Sequence, residues 1–249
     1  MKEGKKIYFA SDFHLGAPGD TNSMEREKLI CKWMDEIKNE TEELYFLGDV
    51  FDFWFEHKYT VPKGFVRILG KIAEFTDAGI KVHFFTGNHD TWMKDYFPKE
   101  LNVIVHDEPI TVTHGAKTFF IGHGDGLGPG DSRYKLLKKI FRSKTCQWLY
   151  SRIHPNLSFH IARVSSLKSR AANGKSDEIF LGKDKEWLYA FCKDYISSHK
   201  IDYFVFGHRH LPLELDVEGK AMYVNLGDWL KYNSYAEFDG SKLRLKYYK

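Results

Sequence analysis

The sequence predicts an α/β layered fold built around a mixed β-sheet. Short runs rich in Tyr, Phe, Val and Ile are typical of buried strands, and segments with helical apolar spacing separate several of them. Because strand and helix patterns alternate along the chain, we expect helices to cover the sheet. Two further pairs of runs are joined by turn residues, so some strands must pair antiparallel and the sheet is not purely parallel.

Each predicted strand is followed at once by small and polar residues. In chain order the runs are KIYFA, ELYFL, KVHFF, TFFI, DYFVF and MYVN. The polar groups after them are, in the same order, Ser11–His14, Gly48–Asp52, Thr86–Asp90, Gly122–Asp125, Gly207–His210 and Leu226–Trp229. In open α/β sheets, ligands bind at the carboxyl ends of strands, so we expect the functional site at this edge.

Three helices are predicted from apolar residues that share one helical face. The first follows the capping residues Asn22 and Ser23 and carries Leu29, Ile30, Trp33, Met34 and Ile37. The second ends near Gly79 and carries Phe65, Ile68, Leu69, Ile72 and Phe75. The third carries Trp187, Leu188, Phe191 and Tyr195.

Two hairpins and one insertion complete the predicted organisation. The first hairpin turns at His114-Gly115 and the second at Asp239-Gly240. From about Leu127 to Leu181 the alternation stops, and the segment combines helical apolar spacing with many basic residues. We interpret residues 127–181 as a helical insertion, here called the lid, beside the active edge of a single domain that spans residues 1–249.

The positive charge of the chain is concentrated in this insertion. The formal net charge is only +3, yet the stretch from Asp131 to Ser176 holds eleven Lys or Arg residues and one acid. That stretch therefore carries about +10 and the rest of the chain about −7. Such asymmetry indicates an anionic partner near the insertion.

Several classes of protein are disfavoured. The three cysteines, Cys31, Cys146 and Cys192, show no paired spacing, which argues against a disulfide framework or a thiolate zinc site. The charged start MKEGKKIYFASD does not have the pattern of a secretory signal. No apolar run approaches the roughly 18 residues of a membrane span. A cytoplasmic protein is therefore expected.

Seven residues after the strands form a candidate metal site: Asp12, His14, Asp49, Asn88, His123, His208 and His210. Residues two apart, such as Asp12 and His14, face the same side of an extended chain. Carboxylates, imidazoles and an amide oxygen suit borderline or hard divalent ions such as Mn, Fe or Zn. Each motif alone is weak evidence for a metal site, but five such motifs in series, each after a predicted strand, are improbable by chance.

We expect two divalent ions in this site, since a carboxylate can bridge two metals about 3.5–4 Å apart that clamp a displacement at phosphorus. Asp49 is the expected bridge. One ion is assigned to Asp12, His14, Asp49 and His210, and the other to Asp49, Asn88, His123 and His208. Sequence alone leaves that division open. Glycines at 48, 87, 122 and 207 are expected to let the backbone turn tightly beside the ligands.

The motifs resemble those of the calcineurin-like metallophosphoesterase superfamily. D-x-H, G-D-x-x-D, G-N-H-D, G-H and G-H-x-H occur in the family's order, over nearly the whole chain outside the insertion. The resemblance implies a four-layer αββα sandwich, a dimetal centre, and attack on phosphorus by a metal-bound hydroxide. It also implies a catalytic role for His89, which would protonate the leaving group or stabilise the transition state, with Asp90 orienting it.

The insertion shows a closer resemblance. The run His123-Gly-Asp125-Gly-Leu127 continues to Asp131 and Tyr134, and a basic stretch rich in Asn, Ser and Lys follows at 169–176. This is similar to the UDP-2,3-diacylglucosamine diphosphatases of lipid A biosynthesis. They hydrolyse the pyrophosphate of a UDP-diacylsugar to UMP and a lipid sugar phosphate, usually with manganese. The substrate-binding residues expected here are Asn88, Asp131, Tyr134, Lys138, Arg163, Arg170 and Lys175.

The composition of the lid agrees with an acylated nucleotide-sugar substrate. A substrate that carries both a pyrophosphate and acyl chains needs cations beside an apolar surface. The lid interleaves its Lys and Arg residues with aromatic residues such as Phe141, Trp148 and Phe159. A peripheral membrane contact through the lid is also expected. The alternative is a solvated basic helix pair packed by its own aromatic residues.

Two departures keep other substrates open. His89 stands where the well-known lipid A branch carries Arg, and Lys138 stands where an Arg is expected. The alternatives are a phosphodiesterase or phosphoprotein phosphatase of broader range, a nuclease, or a non-catalytic scaffold. Nucleic acid ranks low as a partner because the basic stretch is as apolar as it is charged. A scaffold is disfavoured because all seven ligand positions hold competent residues.

Overall fold

The computed structural model describes residues 1–18, 22–129, 132–173 and 179–249, with the backbone alone for 132–134, 137 and 167–173. Its strands, in chain order, are β1 (Lys6–Ala10), β2 (Thr41–Phe46), β3 (Lys81–Phe85), β4 (Ile104–His106), β5 (Ile110–His114), β6 (Lys117–Ile121), β7 (Tyr203–Phe206), β8 (Pro212–Val217), β9 (Ala221–Leu226), β10 (Ser234–Phe238) and β11 (Leu243–Tyr247). The helices are α1 (Ser23–Ile37), α2 (Val66–Asp77), α3 (Tyr96–Leu101), α4 (Ser132–Arg142), α5 (Lys144–Tyr150), α6 (Pro155–Asn173) and α7 (Trp187–Tyr195).

The strands form two mixed sheets. The first has the order β11-β10-β1-β2-β3-β4, and the second β5-β6-β7-β9-β8. Strands β1 to β4 run parallel, while β1 and β10 pair antiparallel. In the second sheet β6, β7 and β9 are parallel, and β5 and β8 are antiparallel edge strands. The predicted mixed sheet is confirmed, as are both hairpins, which are β5–β6 and β10–β11.

Three apolar cores stack the molecule into four layers. Alternate residues of β1 point to opposite faces, so Tyr8 packs toward α1 and α2 while Phe9 packs between the sheets. The second sheet buries Phe204 on its outer side against Leu188 of α7. Since both sheets are covered on both faces, their central strands read as continuous apolar runs. The expected αββα sandwich is confirmed.

Local signals explain the helix boundaries. The Asn22 side chain accepts a hydrogen bond from the Met24 N–H at 3.0 Å and so caps α1. Three elements were not predicted, namely α3, β4 and β8. The strand β4 has only three residues, and β8 starts at a proline and lies at an edge with a largely half-exposed pattern. Short or half-exposed elements lack the apolar run on which the sequence interpretation relied.

The lid contains helices α4, α5 and α6, which pack on two loops of the first sheet through aromatic side chains. Trp92 donates a hydrogen bond to the Phe141 carbonyl at 2.7 Å. The ring of Phe53 packs edge-on against Phe159 at 5.3 Å, and Phe55 packs against Tyr150 at 4.9 Å. Among the helices of the described ranges, none has the length and apolar character needed to cross a membrane.

Candidate metal centre

The two sheets bring seven polar side chains together at the carboxyl ends of five strands. Asp12 and His14 follow β1, Asp49 follows β2, and Asn88 follows β3. His123 follows β6 in the second sheet, and His208 and His210 follow β7. All seven residues predicted from the sequence therefore lie at one edge, where the ends of parallel strands meet.

The first group of ligand atoms surrounds Asp12. The Nε2 atoms of His14 and His210 are 3.0 Å apart, and Asp12 Oδ1 lies 3.3 Å from His210 Nε2 and 3.7 Å from His14 Nε2. Nitrogen ligands about 2.1 Å from one ion, at right angles to each other, would lie about 3 Å apart. The spacing therefore fits a shared divalent cation.

The second group surrounds Asn88. Its Oδ1 atom lies 3.1 Å from His123 Nε2 and 3.0 Å from His208 Nδ1. Between the groups, Asp49 Oδ2 is 3.5 Å from His123 Nε2 and 3.8 Å from His14 Nε2. The other oxygen of Asp49 accepts the His89 N–H at 2.9 Å, which holds Oδ2 toward the groups. The two groups resemble the two sets assigned from the sequence. Ligand atoms of Asp12, Asp49 and His123 also lie within 4.8 Å of one another, as do those of His14, Asp49 and His89, so the division stays a prediction.

The burial of the site fits a cation as well. Asp12 is fully buried, and its Oδ1 has no hydrogen-bond partner among the described residues. Its Oδ2 accepts the His208 N–H at 3.0 Å. A buried carboxylate oxygen without a partner costs free energy, which a bound divalent ion would offset. The mixed oxygen and nitrogen donors match the ions expected from the sequence.

Glycines leave room for the carboxylates rather than mainly turning the chain. A Cβ at Gly87 would lie 2.1 Å from Asp49 Oδ1, and one at Gly207 would lie 2.5 Å from Asp12 Oδ2. Of the four glycines expected to permit tight turns, Gly48 alone has a positive φ, of 88°. The expectation was wrong at the other three, where close approach is the constraint.

The ligand residues themselves carry the unusual backbone. Non-glycine residues with positive φ include five of the site: Asp12, His14, Asp49, His208 and His210. Residues other than glycine rarely adopt a positive φ, and each one costs about 1–3 kcal/mol of folding free energy. Such a residue persists only where the surrounding structure enforces its conformation. The surrounding core thus holds the ligands in a geometry that the local chain disfavours.

Outer carboxylates and a carbonyl orient the imidazoles. Asp228 Oδ2 lies 3.5 Å from His210 Nδ1, whereas Asp52 Oδ1 lies 3.8 Å from His14 Nδ1, which makes no hydrogen bond within the described residues. His123 Nδ1 lies 2.6 Å from the Leu47 carbonyl. Such partners fix which ring nitrogen faces a metal. Asp52 and Asp228 were not chosen as site residues, although both end motifs that follow strands.

Two buried arginines anchor the ligand loops. Arg26 of α1 donates to the carbonyls of Phe13 and His14, both at 2.8 Å, and so fixes the D-x-H loop. Arg209, the middle residue of H-x-H, donates to Glu186 Oε2 at 3.2 Å and to the Ile179 carbonyl at 2.9 Å. The second arginine therefore ties a ligand loop to the end of the lid and to the segment that follows it.

In the metal-free protein the histidines differ in protonation. Burial opposes the charge on His123, but the Asp49 carboxylate outweighs it and raises the pKa of His123 to about 10. Burial, together with the charge on His123, lowers the pKa of His208 to about 4. Metal binding must displace the proton from His123, so metal affinity should rise with pH.

His89 lies at the rim of the centre and is oriented by Asp52. Its Nδ1 is 3.1 Å from the Asp52 carbonyl and 3.5 Å from Asp52 Oδ1, and its ring packs edge-on against His14. Asp90 was expected to orient His89, and this was wrong. The fully buried Asp90 carboxylate accepts the backbone N–H groups of Gly87, Asp49 and Phe51 instead. Burial and the charge of Asp49 raise the pKa of Asp90 to about 7.

The expected substrate residues are described only in part. Lys138 lines a cavity of about 570 Å³ beside His123, and its ammonium binds Asp125 Oδ2 at 2.6 Å. Arg163 lies on the exposed side of α6. Tyr134 and Arg170 lie in α4 and α6, where the backbone alone is described. Asp131 and Lys175 lie outside the described residues.

Gly87→Ala should abolish much of the metal binding, because its Cβ would displace Asp49. Displaced ligands and their supports cost about 10–100-fold in metal affinity, and we expect a loss in that range. Metal content after gel filtration, measured by mass spectrometry, tests this. Gly70→Ala is the matched control, since nothing lies within 4 Å of its added Cβ in α2. Equal metal content in the two variants would contradict the proposed geometry.

Comparison with known proteins identifies the family. A profile of the calcineurin-like phosphoesterases matches residues 5–212. A protein of Porphyromonas gingivalis named UDP-2,3-diacylglucosamine hydrolase is 40% identical over 97% of this chain and 97% of its own length. Proteins of the same name from Haemophilus influenzae (27% identity, 95% of this chain and 96% of the relative) and Vibrio vulnificus (29%, 91% and 90%) are also similar. The chain belongs to the calcineurin-like phosphoesterases, a family of metal-dependent hydrolases.

Proposed function

We propose that this protein hydrolyses the pyrophosphate bond of UDP-2,3-diacylglucosamine, giving UMP and 2,3-diacylglucosamine 1-phosphate in lipid A biosynthesis. The observation that carries the proposal is the 40% identity to a hydrolase named for this substrate, over 97% of both chains. The position of a basic, aromatic lid against the loops after β2 and β3 supports it, because the substrate combines phosphates with acyl chains.

The proposed chemistry divides between the ions and the chain. Two divalent ions, manganese by our proposal with iron or zinc as alternatives, would lower the pKa of water and neutralise charge on the phosphoryl oxygens. The two ligand groups on either side of Asp49 hold their donors before substrate arrives. Because Asp52 faces His89 Nδ1, the Nε2 of His89 is the nitrogen left to meet the leaving oxygen.

The lid supplies the proposed substrate surface within one domain. The lid, about residues 127–181, follows the loop that carries His123 and ends before α7. Four cations of α4 and three acids line the cavity beside His123, so an anionic group of the substrate would meet a small excess of positive charge there. The cations are Lys135, Lys138, Lys139 and Arg142, and the acids are Asp107, Glu108 and Asp125. We propose that Asp131, Tyr134, Lys138, Arg163, Arg170 and Lys175 contribute to the same surface.

The outer side of the lid is proposed to contact an anionic membrane surface. Large apolar side chains are more than half exposed there, namely Leu136, Trp148, Leu149, Leu157, Ile179 and Leu181. The guanidinium of Arg152 lies 4.8 Å from the centre of the Trp148 ring, so cation and aromatic face solvent together. This combination is typical of a surface that inserts shallowly between anionic head groups.

The purified protein, loaded in turn with manganese, iron or zinc, should release UMP from UDP-2,3-diacylglucosamine. We expect kcat/KM for this substrate to exceed that for bis(p-nitrophenyl) phosphate by at least about a thousandfold, because remote binding contributes to the transition state. Product chromatography measures UMP. Turnover of the aryl ester without UMP release would instead indicate a phosphodiesterase of broader range.

His89→Ala should lower kcat by about 100-fold or more, the range for loss of a general acid, while both metals stay bound. Steady-state kinetics and metal analysis on the same sample measure this. His199→Ala is the control, since His199 lies after α7, is exposed and stacks on Tyr195 outside both ligand groups. An unchanged kcat in His89→Ala would remove the catalytic role.

Replacing Trp148 and Leu149 together by Ser should weaken binding to phosphatidylglycerol vesicles by at least about tenfold, since each buried apolar side chain contributes about 1.5–3 kcal/mol. Vesicle co-sedimentation measures the affinity. The matched control replaces Tyr59 and Val66, which are 84% and 73% exposed outside the lid. Equal binding of the two double variants would exclude the lid as the contact.

A further inference from the structure

One buried serine on the lid helix α6 contacts the outer part of the metal centre. Residues 161–165 of α6 are mostly exposed, but Ser166 is only 7% exposed. Its hydroxyl donates a hydrogen bond to Asp52 Oδ1 at 2.9 Å. A polar side chain of the lid thus reaches the buried Asp52 carboxylate in the loop after β2.

The oxygen that accepts this bond also faces two histidines. Asp52 Oδ1 lies 3.5 Å from His89 Nδ1 and 3.8 Å from His14 Nδ1. The hydrogen bond of His89 Nδ1 goes to the backbone carbonyl of Asp52 at 3.1 Å, so the carboxylate acts on the ring through its charge and its close approach. Because a hydrogen bond to an ionised acceptor is stronger than one between neutral groups, the Ser166 hydroxyl helps to set the direction of the Asp52 carboxylate beside His89.

The same helix docks along the loop that carries Asp52. Phe159, seven residues before Ser166 and on the same helical face, packs on Phe53. Ser158 Oγ lies 3.5 Å from His57 Nε2. Contacts at both ends of the loop segment 52–57 mean that α6 cannot move away without releasing Asp52.

We propose that Ser166 is a positioning residue, which couples docking of the lid helix to the orientation of His89 through Asp52. The proposal rests on the role proposed above for His89. With the lid docked, the Asp52 carboxylate is held and His89 Nδ1 is fixed. With the lid displaced, the Asp52 carboxylate loses the Ser166 hydroxyl and its position beside His89 Nδ1 is less restricted, so proton transfer is favoured when substrate is covered.

Ser166→Ala and its neighbour Ser165→Ala make a matched pair, since both lie on α6 and only Ser166 is buried. The probe is diphenyl phosphate, which has no nucleoside or acyl chain for the lid to bind and whose phenolate leaving group, with a pKa of about 10 like that of tyrosine, benefits from a general acid. We expect Ser166→Ala to lower kcat by about tenfold with KM, metal content and urea midpoint unchanged, while Ser165→Ala equals the unmodified enzyme. In an Asp52→Asn background, Ser166→Ala should have no further effect.

A second measurement needs no turnover. In the zinc-loaded protein, the ring nitrogen resonances of His89, assigned by comparison with His89→Gln, should shift in Ser166→Ala and not in Ser165→Ala. Unchanged resonances, or equal kinetic effects with and without Asp52, would overturn the coupling. Failure of UMP release in the unmodified enzyme would instead count against the proposed substrate alone, because neither measurement uses that substrate.

Discussion

The architecture depends on holding two buried carboxylates, Asp12 and Asp49, within a few ångströms of each other and of four imidazoles. Like charges at this distance repel strongly in a buried environment. The protein meets this constraint by ending five strands at one edge and packing both sheets on three apolar cores. Five ligand residues take left-handed backbone angles, which a loosely packed loop would not maintain.

The apolar cores and the divalent ions that the family implies therefore have separate roles. The cores fix where the strand ends lie, and the glycines at 87 and 207 let backbone approach carboxylate where any side chain would collide. Divalent ions would complete the neutralisation of the cluster, since Asp12 Oδ1 makes no hydrogen bond within the described chain although two imidazoles lie 3.3 and 3.7 Å from it. Outside the ligands, Asp228 faces His210 Nδ1 and Asp52 faces His89 Nδ1.

Much of the site was predictable because its residues follow strands, and strand ends of a parallel sheet must coincide. Asp12 and Asp49 follow adjacent parallel strands of the first sheet, and packing of the second sheet against the first brings His123 beside them. The role of Asp90 was not predictable in this way. Its position beside His89 in sequence suggested a contact, but the loop turns the two side chains apart and Asp90 binds backbone instead. Such pairings depend on loop conformation, which spacing does not determine. The half-exposed β8 and the three-residue β4 were not predicted for a different reason, because their sequences lack a distinctive apolar pattern.

Arg209 attaches the lid to a loop that carries metal ligands, and this limits how the lid can change in evolution. Its guanidinium joins the H-x-H loop to the Ile179 carbonyl, at the end of the insertion, and to Glu186, just beyond it. On the other side of the insertion, Lys138 binds Asp125, two residues after His123. Both margins of the lid are thus fastened to loops that carry ligands. An ancestor that exchanged this lid wholesale would have disturbed its own ligand loops. Diversification among relatives should therefore proceed by substitution inside the lid, with its two junctions retained.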